Sequence, residues 1–150
     1  MPKVPDKSKK PASKVTPAVK EIYVEAVGRR KTAVARVRVF TQTKGGLVVV
    51  VNERPIEKYF SLFKNQEVIL APLNLLSIKN ILVTVKVFGG GLNAQAEAIR
   101  LGIARVLIKT DPENRSRLKA LGYLRRDPRM VERKKFGSRK ARRPQQWRKR

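Results

Sequence analysis

The sequence predicts a small domain that mixes β-strands with helices and is followed by a basic tail without a core of its own. Apolar residues alternate with polar ones over 32–40 and 81–88, as in half-buried strands, and recur at helical spacing over 92–109. Residues 125–150 instead hold thirteen Lys and Arg and show no apolar periodicity. Such a segment cannot bury enough surface to offset the entropy of ordering it, so it should stay extended unless a large anion supplies the missing energy.

The charge of the chain predicts a polyanionic partner. The 150 residues, the size of one ordinary domain, carry a net charge of +25 and a pI near 11.4. Solubility in a small domain requires a net charge of only about 2–8. Self-repulsion on this scale opposes compaction, and RNA or DNA would relieve it. The alternative is a solvated basic surface without a partner.

The remaining composition argues against catalysis. The chain has no Cys and no His, which excludes zinc-finger, thiol-nucleophile and histidine-base chemistry. Its eleven Asp and Glu are scattered, with no spacing that would hold a metal. We expect no enzyme, no cofactor and no small-molecule substrate. Apolar runs such as 47–51 fall far short of the roughly 20 residues of a membrane helix. We therefore expect a soluble intracellular protein without a membrane partner.

The first part of the chain predicts a disordered arm and two strands. Residues 1–20 combine four Pro with six Lys and read as a basic, disordered N-terminal arm. The domain, residues 21–123, begins with a strand over 22–26 and a turn or bulge at Gly28–Lys31. The strand over 32–40 places Ala33, Ala35, Val37 and Val39 on one face. Its other face carries Arg36 and Arg38, which would contact phosphate or simply be solvated.

The middle of the chain predicts a hairpin turn, a strand and two short helices. Lys44-Gly45-Gly46 has the composition of a hairpin turn, and Leu47–Val51 reads as a strand buried on both faces. Pro55 would open a short helix with Ile56, Tyr59, Phe60 and Phe63 on one side. Those aromatic residues could stack on bases, but their helical spacing favours core packing. A second helix over Glu67–Leu76 should break near Pro72.

A glycine-rich turn separates the last predicted strand from the longest helix. Gly89-Gly90-Gly91 ends the strand over 81–88, and glycines there would let a backbone approach phosphate closely. A tight turn would look the same. The helix over 92–109 has an apolar stripe formed by Leu92, Ala96, Ile99, Ile103, Val106 and Leu107. Asp111 and Pro112 should start a final helix that ends at Gly122.

Two basic clusters are candidate RNA contacts. The turn after Gly28 projects Arg29, Arg30 and Lys31, where guanidinium groups form forked contacts to phosphate. The tail, residues 124–150, is the second, although charge runs are also solubilising or localisation signals. Arginine outnumbers lysine there, and Trp147 could stack on a base or sugar. Its cations before Trp147 are Arg125, Arg126, Arg129, Arg133, Lys134, Lys135, Arg139, Lys140, Arg142 and Arg143.

Several motifs occur in an order that resembles one protein family. They are Gly28-Arg-Arg-Lys-Thr-Ala-Val-Ala-Arg-Val37, Asn52–Phe60, the three glycines and Ala98-Ile-Arg-x-Gly-Ile-Ala-Arg105. The tail adds Arg126-Asp-x-Arg129, Val-Glu-Arg-Lys-Lys135, Lys140-Ala-Arg142 and a closing Lys149-Arg150. Together, over residues 22–150, they look like protein nine of the small ribosomal subunit in its bacterial form. Leu101 stands where the family commonly has His.

The resemblance implies a fold and a function. It implies an α+β domain with a four-stranded mixed sheet packed on helices, a left-handed β-α-β crossover like that of the ribosomal S-five second domain, and an extended basic C-terminal tail. The general handedness rule would predict the opposite crossover. The implied partners are small-subunit ribosomal RNA of the head, neighbouring head proteins and transfer RNA in the peptidyl site. The last residues, Arg148, Lys149 and Arg150, would contact that transfer RNA.

Two other functions remain open on the residues alone. One is a basic RNA-binding subunit of another ribonucleoprotein, such as a ribonuclease-associated protein. The other is a DNA-compacting protein. The expected location is the cytoplasmic ribosome, and an organellar ribosome stays open.

Overall fold

A computed structural model describes residues 23–40 and 46–146. The predicted arm over 1–20, Trp147 and the three terminal cations lie outside these residues. The strands are β1 (Tyr23–Arg30), β2 (Ala33–Phe40), β3 (Val48–Val51), β4 (Arg54–Pro55) and β5 (Leu82–Phe88). The α-helices are α1 (Ile56–Tyr59), α2 (Phe63–Leu75), α3 (Leu92–Thr110) and α4 (Arg115–Ala120), with a 3-10 helix at Pro112–Asn114.

The strands form one mixed sheet in the order β1-β2-β5-β3-β4. All neighbours are antiparallel except β3 and β5, which are parallel and connected through α1 and α2. The domain is therefore α+β, as expected, but the expected number of four strands is wrong. The fifth strand is the two-residue β4, which pairs with the end of β3 directly before α1. A segment this short leaves no alternation in the sequence from which it could be predicted.

One face of the sheet packs against α2 and α3 and forms the core. The predicted alternation is confirmed in β2 and β5, because Ala33, Ala35, Val37 and Val39 are buried together with Val83, Val85 and Val87. The stripe on α3 is also confirmed, except that Leu92 is largely exposed at its first turn. Phe60 is buried, whereas Phe63 is 70% exposed, so the aromatic residues do not share one environment.

Helix α3 crosses the sheet at a point where neither element can carry a side chain. A Cβ at Gly28 would lie 1.9 Å from the carbonyl oxygen of Ala98. A Cβ at Gly102 would lie 2.5 Å from Cγ2 of Val37. The predicted turn at Gly28–Lys31 is therefore wrong: Gly28 is inside β1, where it permits this approach, and only Lys31 and Thr32 form the turn.

Three further predictions in the middle of the chain are wrong. No hairpin joins β2 to β3, since β5 lies between them; most of the predicted turn, residues 41–45, lies outside the described residues. Strand β3 is buried on one face only, and Val48 is 43% exposed because the opposite face of the sheet is open. Helix α2 continues through Pro72, which is itself buried beside Leu73. Its packing outweighs the hydrogen bond that proline removes.

The chain then leaves the domain after α4. Leu118 is fully buried, whereas Leu121 is largely exposed. Asp111 precedes the 3-10 helix but makes no side-chain capping bond. Gly122 ends α4 with a φ of +71°, and the amide of Tyr123 donates to the carbonyl of Leu118. This is the glycine helix ending that the sequence predicted.

Candidate nucleic-acid interface

The side chain of Arg30 connects the start of the tail to the domain. Its guanidinium group pairs with Glu97 on α3 and, at 3.0 Å, with the carboxylate of Asp127. It also donates to the backbone oxygens of Asp127 and Arg129, at 3.3 and 2.7 Å. With only 12% of its side chain exposed, Arg30 is satisfied by protein groups. We call Arg30, Glu97, Asp127 and Arg129 the anchor.

Within the anchor, Asp127 and Arg129 form a local forked ion pair. Nε and Nη2 of Arg129 donate to the carboxylate of Asp127 at 2.8–3.1 Å, and the amide of Arg129 donates to Oδ1 at 2.9 Å. These bonds from Arg129, assisted by the charge of Arg30, hold the pKa of Asp127 well below its usual range. The carboxylate therefore stays ionised and keeps the backbone turned where the tail begins.

Beyond the anchor the tail is exposed but follows a defined path. Glu132 pairs with Arg142 at 2.8 Å and with Lys135 at 3.7 Å. Gly137 has a φ of +72°, and residues 138 and 144 form an isolated antiparallel bridge. The amide of Arg139 donates to the carbonyl of Arg143 at 2.8 Å. Residues 138–144 thus close a basic loop.

Most of the ten tail cations in the described residues have no side-chain partner there. In the described part of the tail, no ion pair or side-chain hydrogen bond involves six of them, and all six are exposed. They are Arg126, Arg133, Lys134, Arg139, Lys140 and Arg143. Arg125 has only a backbone bond, from its amide to Gly122. Lys135 and Arg142 share Glu132, so this stretch keeps a large excess of positive charge.

The turn between β1 and β2 presents two of its three predicted cations. Arg29 and Lys31 are exposed and, among the described residues, without a side-chain partner. Lys31 has a φ of +51°, at the tip of the turn. Arg30 lies between them and points the opposite way, into the anchor. Successive side chains of a strand face opposite sides, which explains why Arg29 and Arg30 diverge at the end of β1. Lys31 follows them in the turn itself.

Arg36 and Arg38 lie on the open face of the sheet, as the alternation predicted. Both interact with Glu25 across the β1–β2 pair, Arg38 at 2.7 Å and Arg36 at 3.4 Å. Arg38 also lies 4.8 Å from the ring centre of Tyr23, and its bond to Glu25 raises its pKa further. Arg36 remains more than half exposed. Of the two, Arg36 is the better placed to contact phosphate.

The glycine-rich turn has a packing explanation. A Cβ at Gly89 would lie 2.6 Å from the carbonyl oxygen of Thr32, and one at Gly90 would touch Ala33. Both glycines have positive φ. The carbonyl of Gly89 accepts a hydrogen bond from the side-chain amide of Gln95 on α3. Close packing on the neighbouring turn therefore accounts for these two glycines without a bound phosphate.

Three basic residues that the sequence reasoning did not select contribute to this region. Arg105 and Lys109 of α3 donate to the carbonyls of Val27 and Glu25, at 2.6 and 2.8 Å. These bonds cover the outer edge of β1, which would otherwise offer unpaired backbone groups. Lys86 lies beside Arg36 on the open face of the sheet. The alternation of apolar and polar residues in β5 would have predicted that Lys86 lies on this face.

No helix in the described part of the chain is long and apolar enough to cross a membrane. The arrangement is a sheet with helices on one face, and a cationic segment extends from this domain beyond the ion pairs of the anchor. A folded domain combined with exposed, unpaired arginines is typical of proteins that assemble on a nucleic acid.

Comparison with known proteins identifies the family. A family model described as ribosomal protein S9/S16 matches residues 28–150. Small ribosomal subunit protein uS9 of Synechococcus sp. (strain JA-3-3Ab) is 52% identical over 128 residues, which cover 82% of this chain and 89% of the relative. The uS9 proteins of Trichormus variabilis and Synechocystis sp. (strain ATCC 27184) are 52% and 50% identical over 125 and 127 residues. These alignments cover 82% of this chain and 88% and 89% of the relatives.

The chain belongs to the S9 family of ribosomal proteins. It is therefore a structural protein of the small ribosomal subunit and not an enzyme, which confirms both expectations. Its location in the cytoplasmic ribosome follows from the same membership. The described contacts divide its cations into those that pair within the protein and those without a partner among the described residues.

Proposed function

We propose that the protein binds small-subunit ribosomal RNA of the head through the unpaired cations of the β1–β2 turn and the tail. The observation that carries this proposal is the set of exposed tail arginines and lysines without a partner among the described residues, on a path that starts at the anchor, where Arg30 is mostly buried. Like charges crowd along this path, so a polyanion is needed to stabilise it.

The proposal assigns different roles to the predicted contact residues. Arg29, Lys31 and Arg36 would contact phosphate from the domain. Arg30, Arg38 and Arg129 would act mainly within the protein, because their guanidinium groups already have carboxylate or carbonyl partners. The main tail contacts would come from the cations without an ion pair, which are Arg125, Arg126, Arg133, Lys134, Arg139, Lys140 and Arg143. Lys135 and Arg142 share the single carboxylate of Glu132 and would add contacts beside it.

We further propose that the last residues, Arg148, Lys149 and Arg150, contact transfer RNA in the peptidyl site. In this division, residues 1–20 form a basic arm, 21–123 the RNA-binding domain and 124–150 the tail. The support is the family membership together with the anchor, which attaches the start of the tail to the domain. A left-handed crossover between β3 and β5 and contacts with neighbouring head proteins belong to the same proposal.

Paired charge removal tests the RNA contact. The double substitution Arg133→Gln and Lys134→Gln removes two unpaired tail cations, while Arg115→Gln and Lys119→Gln remove the same charge from α4. Binding to a head-domain ribosomal RNA transcript is measured from 50 to 200 mM salt. Each lost phosphate contact should flatten the slope of log K against log salt by about 0.9 in a duplex region. Equal losses in both double variants would show a general charge effect and contradict the assignment to the tail.

Removal of residues 147–150 tests the transfer RNA contact. The shortened protein should enter small subunits normally, because the domain and the rest of the tail are unchanged. Peptidyl-site transfer RNA should dissociate faster from those subunits. A truncated protein that no longer enters subunits would contradict the proposed division between domain and tail. Unchanged dissociation of transfer RNA would contradict the contact alone.

A further inference from the structure

The open face of the sheet carries an exposed aromatic residue beside a group of cations. Residues that pair directly across strands share a face, so Val34 and Phe88 form one row with Arg29, and Arg36 and Lys86 form the next row with Val27. Helices α2 and α3 pack on the opposite face. Phe88, the last residue of β5, is 64% exposed on this face.

The exposure of Phe88 results from the way β3 ends. Strand β3 pairs with β5 only as far as Val51 and Val85. Beyond that point the side chain of Asn52 replaces the strand as partner of Val87. Its Nδ2 donates to the carbonyl of Val87, and its Oδ1 accepts from the amide of Val87, each at 2.9 Å. Strand β5 consequently extends beyond β3, and Phe88 has a strand neighbour only on the β2 side. One side of its ring faces open space.

Polar contacts hold this end of β5 in place. The hydroxyl of Tyr59 donates to the side-chain oxygen of Gln95 at 3.0 Å, and Nε2 of Gln95 donates to the carbonyl of Gly89 at 3.1 Å. Asn52 contacts the same hydroxyl at 3.4 Å. Because these bonds fix the backbone at the end of β5, little backbone freedom is lost when a ligand binds against the ring of Phe88.

We propose that Phe88 stacks on an unpaired base of ribosomal RNA, while Arg29, Arg36 and Lys86 contact the adjoining phosphates. The proposal rests on the RNA binding proposed above and adds a second, single-stranded contact on the domain. A base must be unstacked to lie on a side-chain ring, so the ligand is a loop, bulge or unpaired segment rather than a duplex.

The charges of this face favour RNA over a protein partner. Four cations, Arg29, Arg36, Arg38 and Lys86, lie there against two carboxylates. Glu25 is held by Arg36 and Arg38, and Glu53 lines the groove between Arg36, Arg38 and Lys86. The face retains an excess of positive charge around the ring, which suits a base flanked by phosphates.

A relocated tryptophan reports stacking directly. The chain has one Trp, at position 147, so full-length protein carrying Trp147→Phe and Phe88→Trp has its single indole on the sheet. The matched control carries Trp147→Phe and Phe63→Trp, because Phe63 is equally exposed but belongs to α2. Indole fluorescence of both variants is measured during titration with protein-free head-domain ribosomal RNA and with duplex RNA of equal length. Shielding of the indole from acrylamide is then measured after incorporation into small subunits.

We expect ribosomal RNA to quench the indole at position 88 strongly and the one at position 63 weakly, with duplex RNA quenching neither. Equal quenching at both positions would overturn the proposal in favour of general RNA coating. An indole at position 88 that is shielded from acrylamide in subunits but unquenched by RNA would overturn it in favour of a protein partner. An indole at position 88 that stays exposed both with ribosomal RNA and in small subunits would overturn the proposal by showing that the face stays solvated. Failure of the whole chain to bind RNA would instead contradict the proposed function.

Affinity gives a second, independent measurement. Phe88→Leu keeps an apolar side chain but removes the ring, and should weaken binding to the ribosomal RNA transcript about tenfold. Phe63→Leu should leave the affinity unchanged. An affinity of Phe88→Leu within a factor of two of the parent protein would overturn the stacking contact.

Discussion

The domain and the tail use opposite means to hold their shape. Between β1 and α4, apolar side chains from the sheet, α2 and α3 form a single buried core. From Arg125 to Gln146, every apolar side chain but that of Ala141 is exposed, and Phe136 is fully so. The tail is held instead by the anchor, by Glu132 and by the backbone bonds of the basic loop.

The contrast shows which interactions depend on solvent conditions. Burial of apolar surface is nearly insensitive to salt, whereas exposed ion pairs are screened and contribute little. We therefore expect the domain to fold by itself and the tail to become fully ordered only against RNA. The ion pairs of Arg30 should be screened by salt less than exposed pairs, because Arg30 is mostly buried and its partners Glu97 and Asp127 are only partly exposed.

The largest effect should come from a side chain at the helix crossing. Gly28→Ala places a Cβ 1.9 Å from the carbonyl oxygen of Ala98, so α3 must move away from β1. We expect a loss of about 3 kcal/mol or more in the free energy of unfolding, measured by urea denaturation. The control is Gly91→Ala, where nothing lies within 4 Å of the new Cβ; it should cost under about 1 kcal/mol. Similar values for both would contradict the close crossing.

Removal of the anchor cation should separate the tail from the domain. Arg30→Gln leaves the carboxylates of Glu97 and Asp127 without their shared partner. We expect the domain to lose about 1–3 kcal/mol of stability and trypsin to cleave faster after Arg125 and Arg126. The matched control, Arg126→Gln, removes a cation that has no partner in the described structure and should leave stability unchanged. A tail that stays equally resistant in Arg30→Gln would show that the anchor does not orient it.

The titration of Asp127 should reveal how firmly the anchor is formed. Its folded pKa is lowered by Arg129 and Arg30, below the unfolded value of about 3.9. The contact therefore contributes stability above about pH 4, and this contribution is lost as the pH falls from there through the folded pKa. Carboxyl chemical shifts followed by NMR should show Asp127 titrating below pH 4. In Arg129→Gln the titration should move back toward the ordinary value; an unchanged midpoint would contradict the assigned cause.

The smallest effect is expected in the tail itself. Glu132→Gln removes the exposed carboxylate that pairs with Arg142 and Lys135. The free energy of unfolding should change by less than about 0.5 kcal/mol, since exposed pairs are weak and the tail carries no core. Hydrogen exchange should nevertheless become faster at the amide of Arg139, whose bond closes the basic loop. Loss of domain stability would show that the tail is more closely coupled to the core than its exposure indicates.

The sequence predicted correctly those features that depend on residues close together along the chain. The alternation in β2 and β5 and the helix ending at Gly122 depend on near neighbours, and all were predicted correctly. The errors at Gly28 and at the predicted hairpin concern contacts between distant parts of the chain. Whether Gly28 forms a turn or a strand depends on α3, about seventy residues later. The dual character of the basic turn, with Arg30 turned inward between two outward cations, depends on Glu97 and Asp127.

By itself, the sequence determined the excess of positive charge, the absence of His and Cys, the main strands and helices, and the family. These properties are composition, local periodicity and an ordered set of motifs, all of which are readable along the chain. Only the tertiary structure decided the strand order, the helix crossing at Gly28 and Gly102, and which arginines are free for a partner. Each of these depends on groups that meet in space from distant positions. Glu97 and Asp127 hold Arg30 within the protein, whereas Arg29 and Lys31 on either side of it have no side-chain partner among the described residues.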